Sequence, residues 1–181
     1  MKGAVALAAA LAAALAASLA AAAPLSVKYD RFTDRTEIEV PSTDAVWSEA
    51  KAHPSHLVIH TLTFYRGAKP AAAPELVRIA FRSISPNGWR YLRCHDVAAL
   101  VDGKPFPMEP ARHDGSALSG SAVVESVDVT LPWTDFASLA KASHVEFRVC
   151  TTQVILTGDQ IAGWHAMVHA ATPATGANVT R

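Results

Sequence analysis

This chain lacks an excess of charge of either sign: sixteen Lys and Arg stand against sixteen Asp and Glu. Without a basic surplus there is little to neutralise a phosphate backbone, so no nucleic-acid partner is expected. After the first 23 residues, no apolar run approaches the roughly 20 residues that a membrane-spanning helix needs, so no integral span is expected once that segment is removed. Motifs that specify a reaction are missing as well. No G-x-S-x-G surrounds Ser119 or Ser121, which argues against a nucleophile elbow. The Gly-bearing stretch 115–120 has no phosphate-loop Lys and leads into a strand pattern instead of a helix. Cysteine is scarce, with Cys94 and Cys150 only.

What is present begins with a leader. Lys2 is the only charge before Lys28, residues 4–19 are apolar but for Ser18, and small residues at 20–23 precede Pro24. A positive start, a short apolar core and an A-x-A-like end are what a signal peptidase reads, with cleavage after Ala22 or Ala23. An uncleaved anchoring helix is the alternative, disfavoured because the run is mostly weakly apolar Ala. No Cys stands at the junction to carry a lipid. The expected mature chain has about 158 residues and a net charge of about −1. That length suits one domain over 24–171. The tail 172–181 has no periodicity and is expected to be disordered. Export places the protein in the periplasm or outside the cell. In an oxidising space an even cysteine pair invites a disulfide, worth about 4 kcal/mol for a loop of this length. Two buried thiols on separate strands are the alternative, and the bond requires the Cα atoms to approach within about 7 Å.

The pattern is mainly β. Period-two alternation at 26–32 and 36–40 flanks a polar turn and predicts a hairpin. A short helical turn fits 46–50. Strands are expected at 56–65, 75–83, 89–94, 97–101, 104–108 and 122–131, with one or two more in 144–156. Ser85-Pro86-Asn87-Gly88 and Asp102-Gly103 are turns, and 67–74 and 113–121 read as loops. A helix is predicted over 133–142, and a second after Gly158 with Asp159 as its N-cap. On the second helix Ile161, Trp164, His165 and Val168 form one stripe. Short antiparallel strands with regular turns and two short helices predict a β-sandwich-like fold, the helices covering an end or an edge.

Several residues look chemical. His56 and His60 share one strand face but stand about 13 Å apart, too far for one metal, and His53 joins them only across Pro54. His165 and His169 are spaced i, i+4 on a helix, which suits one ion, but two ligands fall short of a zinc site and the metalloprotease Glu is absent. A pair at a helix edge is the preferred reading. Cys94-His95-Asp96 mimics a triad, but successive strand residues diverge. Glu125 shares the inward parity of Val123, Val127, Val129 and Leu131. Buried there, it needs a partner such as Arg78, Arg90 or Arg148, or a raised pKa. An ion pair holding the sheet is preferred over acid catalysis. Trp89, Tyr91 and Trp133 either form a contact patch or, more in keeping with their residue types, fill the core. Asn178-Val179-Thr180 fits a glycosylation sequon.

Tyr29-Asp30-Arg31-Phe32-Thr33-Asp34-Arg35-Thr36, Trp89-Arg90-Tyr91-Leu92, Asp102-Gly103, the run from Glu125 to Pro132, Phe136 with Leu139-Ala140, and Val145-Glu146-Phe147 together resemble a loose group of uncharacterised bacterial exported proteins. The likeness covers most of 27–165 and rests on framework features. It implies the fold and supplies no catalytic residue. In that group a Gly often stands where Cys150 does here, which favours a disulfide particular to this chain. The expectation is an exported, non-enzymatic β module that binds a protein or a small ligand or sits in the envelope, with no cofactor. The alternative is an exported metal-binding protein or metal-dependent hydrolase using clustered His with Asp96 or Glu125.

Overall fold

The computed structural model describes residues 25–44, 46–48 and 56–173. The leader, His53, the sequon and all of the tail beyond Pro173 lie outside them. Eleven strands and two helices follow in the order β1 (Ser26–Asp30), β2 (Arg35–Asp44), β3 (Val46–Ser48), β4 (His56–Arg66), β5 (Leu76–Ser85), β6 (Val97–Val101), β7 (Lys104–Phe106), β8 (Arg112–Ala117), β9 (Val123–Pro132), α1 (Trp133–Leu139), β10 (Val145–Val149), β11 (Thr152–Ile155) and α2 (Gly158–Ala171). A six-stranded antiparallel sheet has the order β1-β2-β4-β5-β9-β8, and a five-stranded one β3-β11-β10-β6-β7. The fold is therefore mainly β and sandwich-like, with two helices.

Alternation decides which face is buried. Val77, Ile79 and Phe81 on β5 pair in register with Leu131, Val129 and Val127 on β9, and all six are buried. Phe147 on β10 meets Phe81 edge-on at 5.1 Å between ring centroids, which joins the two sheets. Helix α2 adds Trp164, whose ring packs on Phe136 of α1 and Phe147 and whose Nε1 donates to Thr61 Oγ1 at 2.8 Å. A Trp in the core needs such an acceptor for its indole N–H, and the β4 hydroxyl supplies it.

Two-residue turns fall where the backbone can take positive φ. Asp102 (φ 49°) and Gly103 (φ 77°) link Val101 to Lys104, the geometry that matches the strand twist. Cys150 (φ 56°) occupies the equivalent bend between Val149 and Thr152. A residue with a Cβ is strained there, which explains physically why Gly suits this position.

The structure departs from the sequence pattern in six places. Residues 46–48 form β3, not a helical turn, because they pair with Gln153–Ile155 of β11. A three-residue segment has too little periodicity to choose between the two. Residues 89–94 are not a strand: the segment lies across the sandwich end, and the main-chain N–H groups of Arg90 and Tyr91 donate to the Glu125 side chain. Much of 113–121 is strand, since β8 pairs with β9 from Arg112 to Ala117. β8 lies at the sheet edge, where polar residues are the rule, so its composition mimics a loop. The N-cap of α2 is Thr157, not Asp159, in a capping box with Gln160. The buried stripe of α2 is Gln160, Gly163, Trp164, Met167 and Ala171, one step around from the stripe expected through Ile161, His165 and Val168. Helix α1 also ends a turn early, at Leu139, although 3₁₀-type bonds from Lys141 to Ser138 and from Ala142 to Leu139 carry the turn onward.

Candidate functional site

Polar side chains gather in two places relevant to function. The first is the sandwich end under the 86–96 loop. Glu125 is fully buried there. Its Oε2 accepts from Arg90 N at 2.7 Å and its Oε1 from Tyr91 N at 2.9 Å. His113 Nε2 stands 3.1 Å from the same Oε1, and the tautomer with hydrogen on Nε2 donates. Arg90 contributes its main chain, Arg78 faces Asp128 at 3.9 Å, and Arg148 is exposed. The carboxylate stands in for the neighbouring strand that the loop lacks, which removes the cost of two unpaired amides.

Around this centre, Tyr91 is buried with its hydroxyl 2.9 Å from Thr152 Oγ1, and burial pushes the phenol pKa up. His95 stacks on His113 at 6.1 Å, and Trp89 meets His113 edge-on at 6.0 Å. Gly115 leaves room for Trp89: a Cβ there would lie 2.7 Å from the indole and 2.8 Å from the Val124 carbonyl. Cys94 and Cys150 are bonded, with Cα atoms 5.9 Å apart, and the bond pins the far end of the loop to the β10–β11 bend. The main-chain bond from Cys150 N to Asp96 O reinforces it. No free thiol remains at Cys94, so a Cys94-His95-Asp96 nucleophile is overturned. Of the aromatic trio, Tyr91 and Trp133 belong to the core and only Trp89 is exposed, at 43%. A three-ring contact patch is therefore not formed.

His60 lies on the outward face of the six-stranded sheet, 2.6 Å from Glu39 Oε1. That hydrogen bond holds the Glu39 carboxyl below its ordinary range despite partial burial. Asp102 is lowered likewise, by donation from the Ser143 hydroxyl and the His144 main chain, which fixes the 140s turn beside the β6–β7 hairpin.

The second gathering is a groove of about 940 Å³ between α1, α2 and the 67–75 loop. That falls within the roughly 300–1,000 Å³ of small-molecule sites. Pro70, Ala137, Ala140 and Val168 line it with apolar surface. Lys69, Lys141, His165 and His169 line it with groups able to carry positive charge, and no Asp or Glu is among the described lining residues. His165 and His169 are exposed on the solvent side of α2 because the helix is rotated to bury Trp164 and Met167. The structure brings these two histidines together with Lys69 and Lys141, and keeps them away from Glu125 and Asp96. Among the described residues, no group of three or more His, Cys, Asp or Glu is placed to hold a metal ion. The lysines were not legible as site residues: one sits in a Pro-rich loop, the other just past a helix, and only the docking of α2 joins them.

The disulfide is compatible with an extracellular or periplasmic protein, and among the described residues no helix is long and apolar enough to cross a membrane. No family model matches the chain, and no curated protein matches it.

Proposed function

We propose that the chain is an exported, non-enzymatic binding module that takes a small ligand in the groove between α1 and α2. The observation that carries the reading is the composition of that groove: an apolar floor edged by Lys69, Lys141, His165 and His169, with no carboxylate side chain among the described lining residues. Binding sites combine such apolar surface with a few polar groups that orient the ligand. The polar cluster at the opposite location is already used internally, since Glu125 holds the 86–96 loop. The apolar leader and the disulfide support export.

The neutral fluorescent probe N-phenyl-1-naphthylamine tests the site. Saturable one-to-one binding is expected, and lost in Ala137→Trp and separately in Val168→Trp, which fill the groove from either helix. Far-UV circular dichroism and melting identify the variant that keeps its fold. Undiminished binding in a folded variant, or no binding by the unmodified protein, overturns the reading. Mass spectrometry of the protein recovered from the cell envelope or medium tests export. The proposal requires a chain starting at Ala23 or Pro24, and a chain that keeps residues 1–23 contradicts it.

A further inference from the structure

Resting on the groove reading, we infer that the ligand is an amphiphile with an aliphatic tail and an anionic head group. Two features of the lining select this class. The first is charge. The whole chain is balanced at sixteen Lys and Arg against sixteen Asp and Glu, yet among the described residues this groove is lined by Lys69 and Lys141, with His165 and His169, and by no Asp or Glu. The basic side chains come from three separate places, the 67–75 loop, the end of α1 and the outward side of α2, so they do not form a stripe on one helix. A negative group entering the groove is attracted by Lys69 and Lys141, and a positive group is repelled by them.

The second feature is the floor. Pro70, Ala137, Ala140 and Val168 are aliphatic, and a methylene chain laid on them gains about 0.8 kcal/mol for each CH₂ it buries. Thr172 and Pro173 also line the groove, where α2 ends.

The experiment is displacement of N-phenyl-1-naphthylamine by four amphiphiles of one chain length: decanoate, decyl phosphate, decanol and decyltrimethylammonium. Decanoate is expected to bind about tenfold more tightly than decanol, as two exposed ion pairs allow, and decyltrimethylammonium most weakly. Lys69→Gln with Lys141→Gln, both exposed positions, should abolish the preference for decanoate over decanol, and a preference that survives overturns the ligand class. Equal binding of decanoate and decanol overturns the ligand class and leaves the groove standing. Decyl phosphate bound no more tightly than decanol also overturns it. Failure of the neutral probe itself to bind falls on the groove reading and not on the head group. Sedimentation showing that the groove is covered by a second copy, with dissociation caused by Ala137→Trp, overturns both.

Discussion

Glu125→Ala provides a stringent test of how the 86–96 loop is held. The wild-type side chain is completely buried and receives two main-chain N–H groups and the His113 ring. Truncation leaves Arg90 N and Tyr91 N without an acceptor, and each orphaned buried donor costs about 1–3 kcal/mol. Removal of one member of a buried, hydrogen-bonded pair costs about 3–5 kcal/mol in comparable sites, and the two figures agree. The expected loss is therefore about 3–5 kcal/mol. Glu125→Gln keeps one carbonyl oxygen for one amide but turns its NH₂ towards the other donor, so about half that loss is expected. Urea denaturation followed by far-UV circular dichroism gives the global figure. Hydrogen exchange at the Arg90 and Tyr91 amides gives the local one, with one of the two amides losing protection in the Gln variant and both in the Ala variant. A cost below about 1 kcal/mol for the Ala variant, or unchanged exchange at both amides, would refute the idea that Glu125 replaces a neighbouring strand.

The disulfide and the acid side of the stability curve give further tests. Thiol titration of the denatured, unreduced protein should find no free thiol. Cys94→Ala with Cys150→Ala should lose about 4 kcal/mol from the open loop. Cys94→Ala with Cys150→Gly should recover about 0.5–1 kcal/mol of that, because Gly accepts the positive φ at residue 150; equal stability of the two double variants would contradict the backbone argument. Glu39 has a depressed pKa in the folded state, so its contribution is present above the unfolded carboxyl pKa and fades as pH falls through the lower, folded value. Glu39→Gln should accordingly cost about 1 kcal/mol at neutral pH, discounted for partial exposure, with the gap to wild type closing in acid. A gap that widens on acidification, measured by urea melts across the pH series, would show the sign to be wrong.

The sheets were legible because burial on one face imposes a period of two. β5 and β9 could be read residue by residue, and even the anomaly at Glu125 was visible as a carboxylate on the wrong parity. Its partners were not legible, because two of the three are main-chain groups of a loop more than thirty positions away. Main-chain donors leave no mark in composition. β8 was hidden by its edge position, and β3 by its length. The capping box Thr157–Gln160 was present in the sequence, but Asp159 competed as an equally good N-cap type, and only the helix start decides between them. The cysteine pair was legible as a pair, whereas its bonding depended on a bend that brings residue 150 against the 86–96 loop. The groove was the least legible feature. His165 and His169 were visible by spacing, but the stripe containing His165 suggested burial. Trp164 and Met167 take the core instead and turn both histidines outward, towards lysines that belong to other elements.

The account stands on the groove being the place where this protein meets its ligand. Intermolecular nuclear Overhauser effects from bound N-phenyl-1-naphthylamine to methyl groups test that most directly. Contacts to Ala137, Ala140 and Val168 are predicted, with none to methyls of the six-stranded sheet such as Val58 and Val124. Contacts found at those sheet methyls, and absent from the two helices, would contradict it.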